Sequence, residues 1–149
     1  MLDFKILSAT KDDLKACERL GRLKEFREAS GDYIDAKFLS HYLNRDFFLV
    51  IKRGKEVVGY LVAEKLRAGG TVIWYLAVKP KYRGQGLGHQ LLGEFENRCR
   101  KNGVEWINMY ALENKQTLNF YKSMGYGFGE KEREIIKLLN VKRFKDLKI

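Results

Sequence analysis

The chain has 149 residues, of which 45% are hydrophobic, and this length suits one compact domain with a single core. The longest apolar run, residues 72–78, is too short to cross a membrane. Cys17 and Cys99 have neither the spacing of a disulfide framework nor that of metal ligands, and no secretory signal follows Met1. We therefore expect a cytoplasmic protein that binds no metal.

The formal net charge of +10 is compatible with an anionic partner: a phosphate-bearing cofactor, a nucleic acid or an acidic protein surface. Basic and acidic residues alternate along the chain, which is typical of a solvated surface. The densest basic segment, residues 142–148, is interleaved with apolar residues that favour packing on the domain. We expect no specific nucleic-acid binding.

The first half of the chain predicts two helices followed by a sheet. Thr10 can cap an amphipathic helix that is broken at 30–32, and a second, shorter helix begins at about Asp35. Three β-rich stretches separated by glycine turns follow, and they predict an antiparallel meander over residues 47–51, 57–66 and 71–78.

After Pro80 a glycine-rich turn leads directly into a helix that ends at Asn102-Gly103. A strand is predicted over 104–112, and Asn114 caps a further helix that Gly125 ends. Strands near Phe128 and over 135–141 would close the sheet, although the latter segment can also be read as helical. No repeat or linker divides the chain, so residues 1–149 are expected to form one domain.

The turn after Pro80 carries the clearest chemical signal. Glycines at 84, 86 and 88 allow a tight turn that exposes backbone N–H groups, and the following helix adds unpaired N–H groups and the positive end of its dipole. Such a loop can hold a pyrophosphate, although a tight strand-to-helix turn alone would also select glycines. The spacing is neither that of a dinucleotide-binding fingerprint nor that of a Walker loop.

Two motifs resemble those of the GNAT superfamily of acetyltransferases. Residues 83–88, Arg-Gly-Gln-Gly-Leu-Gly, match the pattern [Q/R]-x-x-G-x-[G/A], and residues 114–126 resemble N-x-x-A-x-x-[F/L]-Y-x-x-x-G-[F/Y] with Thr117 in place of Ala. The resemblance covers nearly the whole chain. It implies an α/β fold of the α+β type, with a mixed, mostly antiparallel sheet of six to seven strands and about four helices. It also implies an N-acetyltransferase that uses acetyl-CoA.

The same resemblance implies where acetyl-CoA binds. Pantetheine would pair with the backbone of Leu76, Ala77 and Val78, and an amide there would donate to the thioester oxygen as it becomes an oxyanion. Asn114 would contact the cofactor, unless it only caps its helix. The pyrophosphate would be held by the loop and first helical residues, namely Arg83, Gly84, Gln85, Gly86, Leu87, Gly88 and His89.

Tyr121 corresponds to the family tyrosine that donates a proton to the departing sulfur, although its helical spacing also fits a core aromatic. The general base is open, because Trp74 and Tyr75 stand where some members carry Glu or His. Glu64 or Tyr75 could relay the proton of the amine through water. Glu64 could equally be a surface charge at a strand end, and Tyr75 a core residue.

The acceptor is expected to be a primary amine of a small molecule, a protein N-terminus or a lysine. The family forms its acceptor pocket largely from the first two helices, here around 26–42, where Glu28, Asp32, Tyr33 and Asp35 could attract a cationic amine. Two other functions stay open: a catalytically silent acetyl-CoA sensor and a basic RNA- or ribosome-associated protein. Pairing of edge strands would give a homodimer.

Overall fold

A five-stranded sheet organises the fold, with strand order β1-β2-β3-β4-β5. The first four strands are antiparallel neighbours, and β5 runs parallel to β4. The computed structural model describes residues 3–23, 26, 33–45, 47–111, 113–130, 137 and 139. The strands are β1 (Phe4–Ser8), β2 (Phe48–Arg53), β3 (Glu56–Lys65), β4 (Gly70–Val78) and β5 (Trp106–Met109).

Helices cover both faces of the sheet. Buried residues of α1 and α2 pack with one set of strand residues, and buried residues of α3 and α4 pack with the opposite set. Such a layered arrangement buries the apolar stripe of each helix against one face of the sheet. The described helices are α1 (Leu14–Leu20), α2 (Ala36–Ser40), α3 (Leu87–Lys101) and α4 (Lys115–Ser123).

The predicted helix starts are confirmed by their caps. Before α1, the carboxylate of Asp13 accepts from the N–H of Thr10 at 2.9 Å and from its hydroxyl at 3.2 Å, within a 3₁₀ turn over Lys11–Asp13. The carboxylate of Asp35 accepts from the N–H of Phe38 at 2.8 Å and caps α2. The predicted end of the first helix was wrong, because α1 ends at Leu20; the break expected at 30–32 lies outside the described residues.

The predicted meander is confirmed as β2, β3 and β4, but strand β1 was not predicted. The predicted strand over 104–112 is shorter than expected, since β5 ends at Met109. Phe128 lies in irregular backbone with 59% of its surface exposed. The described sheet therefore has five strands, fewer than the six to seven expected. The segments 135–141 and 142–148 lie outside the described residues, apart from residues 137 and 139.

Strand β4 separates from β5 halfway along its length. The parallel pairing extends only from Gly70 opposite Trp106 to Ile73 opposite Met109, whereas β4 continues to Val78 paired with β3 alone. A register shift coincides with this separation: Val62 of β3 lies opposite Tyr75, and its neighbour Ala63 opposite Ile73. Trp74 is thus the extra residue of a β-bulge, a feature that bends and twists a strand.

The bulge also exchanges the two faces of β4. Before it, Ile73 belongs to the core on the α3 side. After it, Leu76 and Val78 contact that same core, while Tyr75 and Ala77 contact the core on the α1 side. With strict alternation Tyr75 would share the face of Ile73, so the extra residue decides which side chains border the opening between β4 and β5.

Candidate active site

A cleft of about 710 Å³ occupies the opening between β4 and β5. One wall is the second half of β4, residues 74–78. The opposite wall is formed by residues 109–111, at the end of β5 and just beyond it, together with α4. The floor at one end comes from the loop and helix start between Tyr82 and His89. The cleft therefore brings together the two sequence motifs and the strand that precedes the first one.

The glycines of the loop serve two different purposes. Gly84 and Gly86 have left-handed backbone angles, with φ of 76° and 79°, and a Cβ at either would meet nothing within 4 Å. They are required by backbone conformation. A Cβ at Gly88 would instead lie 3.2 Å from the ring of Phe120. Gly88 therefore permits the close contact of α3 with α4.

The loop presents a row of unpaired backbone N–H groups. The N–H of Arg83 donates to the carbonyl oxygen of Pro80 at 3.1 Å, and the first α3 hydrogen bond joins Gln90 N–H to Gly86 at 3.0 Å. Within the described part of the chain, no N–H group from 84 to 89 has a hydrogen-bond acceptor. These groups stand at the N-terminus of the 15-residue helix α3, where its dipole favours negative charge. The backbone of the loop by itself can therefore accept an anion.

Side chains of the predicted pyrophosphate segment contribute in different ways. Arg83 Nε donates to the carbonyl oxygen of Val78 at 2.9 Å and thus ties the loop to the end of β4. His89 lines the cleft, and its Nε2 lies 3.0 Å from Ser123 Oγ, which itself donates to the carbonyl oxygen of Phe120. Gln85 is exposed and is not part of the cleft lining.

The second half of β4 offers backbone groups to the cleft. Leu76, Ala77 and Val78 all line it, and this stretch pairs with β3 on one side only. Alternate residues of an unpaired strand edge direct both N–H and C=O away from their neighbour strand. An extended ligand can therefore pair here as an added strand.

Tyr121 lies where the core meets the cleft. Its ring contacts those of Phe120 and Tyr126, with centroid distances of 4.9 and 5.6 Å, and the residue is 8% exposed. It nevertheless lines the cleft. Burial raises the pKa of Tyr121 to about 12, so its hydroxyl is protonated at neutral pH.

Asn114 caps α4, since its side-chain oxygen accepts from the N–H of Thr117 at 2.9 Å. Both residues line the cleft. The oxygen of the Asn114 side chain is thus engaged by the helix, while its NH₂ group remains the part that can donate to a ligand.

Glu64 lies behind the cleft wall. Its Oε2 accepts from Nε1 of Trp74 at 3.0 Å and is 3.4 Å from the hydroxyl of Tyr42, whose pKa is raised by burial and by the charge of Glu64. Glu64 borders a separate cavity of about 320 Å³. Trp74 and Tyr75 line the main cleft, where Tyr75 packs against Phe26 with a centroid distance of 6.4 Å.

Tyr82 and Phe120 are among the cleft residues that have no role in the sequence analysis. Tyr82 directly precedes the loop, and Phe120 fills the space that Gly88 leaves open. Phe120 occupies the [F/L] position of the second motif, whereas the only signal for Tyr82 was its position next to the first motif. Among the described residues, no group of three or more His, Cys, Asp or Glu could hold a metal ion. No described helix is long and apolar enough to span a membrane.

A mixed sheet that opens between two parallel strands above an amide-lined loop defines an acetyltransferase-type fold. Its sequence agrees: the profile of the acetyltransferase (GNAT) family matches residues 8–126, and the chain belongs to this family. Members of the family generally use acetyl-CoA.

Named relatives support the assignment. The chain is 30% identical to acetyltransferase SG1711 of Sodalis glossinidius over 73% of its own length and 74% of that protein. It is 26% identical to the uncharacterized N-acetyltransferase ycf52 of Gracilaria tenuistipitata var. liui over 75% of its length, but spans only 58% of that relative. The crystal structure of Ard1 from Thermoplasma volcanium has a TM-score of 0.74 at 21% identity, covering 85% of this chain and 84% of that one. This last likeness shows the fold.

Proposed function

We propose that this chain transfers the acetyl group of acetyl-CoA to a primary amine, on a small molecule, a protein N-terminus or a lysine. The observation that carries the proposal is that one cleft is lined both by the loop with unpaired N–H groups, residues 84 and 86–89, and by the unpaired edge of β4. The loop suits a pyrophosphate, and the β4 edge suits an extended chain that contains amides. In CoA a pyrophosphate is joined to such a chain, the pantetheine. Family membership and the N-acetyltransferase name of a relative support the same reaction.

The fit of acetyl-CoA rests on particular backbone groups. Its pyrophosphate would accept hydrogen bonds from the loop N–H groups, and its pantetheine would pair along Leu76–Val78. The amide of Asn114 can donate to the pantetheine from the opposite wall. The cleft volume of about 710 Å³ lies within the range of small-molecule sites. When bound, acetyl-CoA supplies the thioester that is cleaved.

The reaction is a direct substitution at the thioester carbon. The neutral amine forms the new N–C bond and the C–S bond breaks. The departing sulfur takes a proton from Tyr121, the amine gives one to water, and return of a proton from water to Tyr121 leaves the amide, the thiol and an unchanged enzyme. A backbone N–H of the β4 edge stabilises the oxyanion that develops on the carbonyl oxygen. The hydroxyl of Tyr121 donates to the sulfur, and this hydrogen bond strengthens as negative charge develops there.

Two residues, Tyr75 and Glu64, are candidates for helping to remove the proton from the amine. Tyr75 lies in the cleft itself, whereas the carboxylate of Glu64 is held behind Trp74. The indole of Trp74 can only donate, so it cannot pass a proton to Glu64. In the proposal, water carries the proton away, and Tyr75 is better placed than Glu64 to orient that water.

A covalent acetyl-enzyme is disfavoured by the placement of both thiols. Cys17 and Cys99 are buried in the two cores, and neither lines the cleft. Burial raises the pKa of Cys17 to about 12 and that of Cys99 to about 11, so both are protonated and poorly nucleophilic at neutral pH. The amine must then meet acetyl-CoA in a ternary complex.

Initial-velocity kinetics test this proposal. Thiol release from acetyl-CoA is measured with a panel of polyamines, amino acids, aminoglycosides and N-terminal peptides. With an accepted amine, double-reciprocal plots should intersect. The double variant that combines Cys17→Ala with Cys99→Ala should remain active. Parallel plots with a trapped acetyl-cysteine would show a covalent route instead. Tight CoA binding without thiol release for any amine would support a catalytically silent sensor.

A further inference from the structure

Glu56 opens strand β3 next to the segment that joins β4 to the phosphate loop. Its Oε1 accepts from Lys79 Nζ at 2.7 Å, and its Oε2 accepts from the hydroxyl of Tyr82 at 2.8 Å. Lys81 Nζ adds a longer ion pair at 3.6 Å. One carboxylate therefore holds both ends of the turn Lys79–Tyr82. The hydrogen bonds from Lys79 and Tyr82 lower the pKa of Glu56 to about 2, so it is charged at neutral pH.

Tyr82 transmits this contact to the loop. Its ring is 8% exposed and packs edge-on against Phe4 of β1 at 5.9 Å. At the other end of the loop Leu87 is buried in the core. Between these two anchors the backbone is exposed and contains the two left-handed glycines, Gly84 and Gly86. The position of the unpaired N–H groups thus depends on where Tyr82 is held.

We propose that Glu56 is a positioning residue for the phosphate loop: through Lys79 and Tyr82 it sets the backbone N–H groups of 84–89 in the arrangement that a pyrophosphate requires. This inference rests on the proposed function, because it concerns how CoA is bound. Nothing in the sequence motifs points to Glu56, which lies 26 positions before its partner Tyr82.

The charge of Glu56 acts in the opposite direction to its contacts. A carboxylate near a bound pyrophosphate repels it, so neutralising Glu56 could strengthen binding by charge alone. That repulsion acts through solvent and is screened over a distance of about 8 Å at physiological salt. The two short, charge-assisted hydrogen bonds are direct. We therefore expect the loss of positioning to dominate.

Calorimetric titration with CoA tests the inference in a double-mutant cycle. Glu56→Gln keeps the shape but removes the charge and one acceptor, and we expect CoA to bind about tenfold more weakly. Tyr82→Phe removes the hydroxyl that donates to Glu56, without a change of charge, and should weaken CoA binding a few-fold. The double variant should bind within about twofold of Glu56→Gln, because the shared contact is already lost.

Two controls separate positioning from other causes. Glu94→Gln removes the same charge and an ion pair with Arg98 on α3, about 12 Å along the helix from the loop, and should bind CoA within about twofold of wild type. Pantetheine lacks the pyrophosphate, so its binding, followed by NMR, should be unchanged in Glu56→Gln.

Three results would overturn the inference: wild-type affinity for CoA in Glu56→Gln, additive effects in the double variant, or equal weakening of CoA and pantetheine. Wild-type protein that binds no CoA would overturn the proposed function before any variant is made. The two failures are therefore distinguishable.

Discussion

The two halves of strand β4 differ in what surrounds them. The closed half, Gly70–Ile73, lies between β3 and β5, and all four of its residues are buried. The open half, Trp74–Val78, pairs with β3 alone and borders the cleft, with Trp74 43% exposed. The comparison teaches that one strand can stabilise the sheet where it has two neighbouring strands and can serve a ligand where it has only one. The reason is that only an unpaired edge has backbone N–H and C=O groups available to a ligand.

The largest expected effect is on chemistry at the open half. Tyr121→Phe keeps the ring and its packing but removes the hydroxyl that is proposed to donate to the sulfur. We expect kcat to fall by roughly 10²–10⁴ with little change in acetyl-CoA affinity. Steady-state kinetics and calorimetry measure the two quantities.

The matched control for this change is Tyr126→Phe. Its ring touches that of Tyr121, but Tyr126 does not line the cleft, and its hydroxyl is buried. It should keep wild-type kcat. If Tyr121→Phe turned over equally fast, Tyr121 would be a core residue only.

The next largest effect is expected at the loop where the open half ends. Gly86→Asp places a carboxylate where the pyrophosphate must approach, and should weaken CoA binding by about 100-fold or more. Gly86→Asn has the same shape without the charge and, like Asp, tolerates left-handed backbone. Calorimetry should show a clearly smaller loss for Asn. Equal losses would assign the effect to backbone strain, and undiminished binding in Gly86→Asp would refute the loop assignment.

A third test compares adjacent residues across the bulge. Ile73→Ala removes buried apolar atoms from the closed half, and should lower the free energy of unfolding by about 2–5 kcal/mol. Trp74→Ala removes a much larger side chain that is 43% exposed, yet should cost less stability. Urea denaturation measures both. A greater loss for Trp74 would mean that the open half also stabilises the fold.

The smallest expected effect is the pH dependence of stability. The pKa of Tyr121 is about 12 in the folded protein against about 10 in the unfolded chain. The contribution of the protonated hydroxyl to the free energy of unfolding is therefore complete below about pH 10 and is lost as pH rises towards about 12. Relative to Tyr121→Phe, wild-type protein should lose about 1.4 kcal/mol of unfolding free energy between about pH 8 and 11. Parallel stability curves for the two proteins would show that the buried hydroxyl is not shielded from solvent.

Prediction from the sequence was best where structure depends on near neighbours. The loop glycines, the caps at Asp35 and Asn114 and the end of α3 at Asn102-Gly103 are confirmed. Each rests on an interaction within four residues. The predicted end of the first helix was wrong, because α1 ends at Leu20 with Gly21 as its C-cap. A Cβ at Gly21 would lie within 3.2 Å of Tyr60 and Ile34, and this close packing is not visible in the local pattern.

The site was predicted less completely than the fold. The sequence placed Tyr121 and the loop on their elements, and the structure brings both into one cleft. No local pattern indicated that Glu64 would lie behind Trp74, or that Gln85 would stay outside the cleft lining. The roles of Glu64 and Gln85 as site residues remain proposals.

By itself, the sequence indicated the family, the glycine loop and the order of helices and strands after β1, because motif spacing, capping and hydrophobic period act over a few residues. Tertiary structure alone decided where the cleft opens, through the extra residue Trp74 and the end of β5 pairing at Ile73. It also decided that Glu56 holds Tyr82. The physical reason is the same in both cases: these contacts join strands whose partners are set by folding of the whole sheet, so no local pattern contains them.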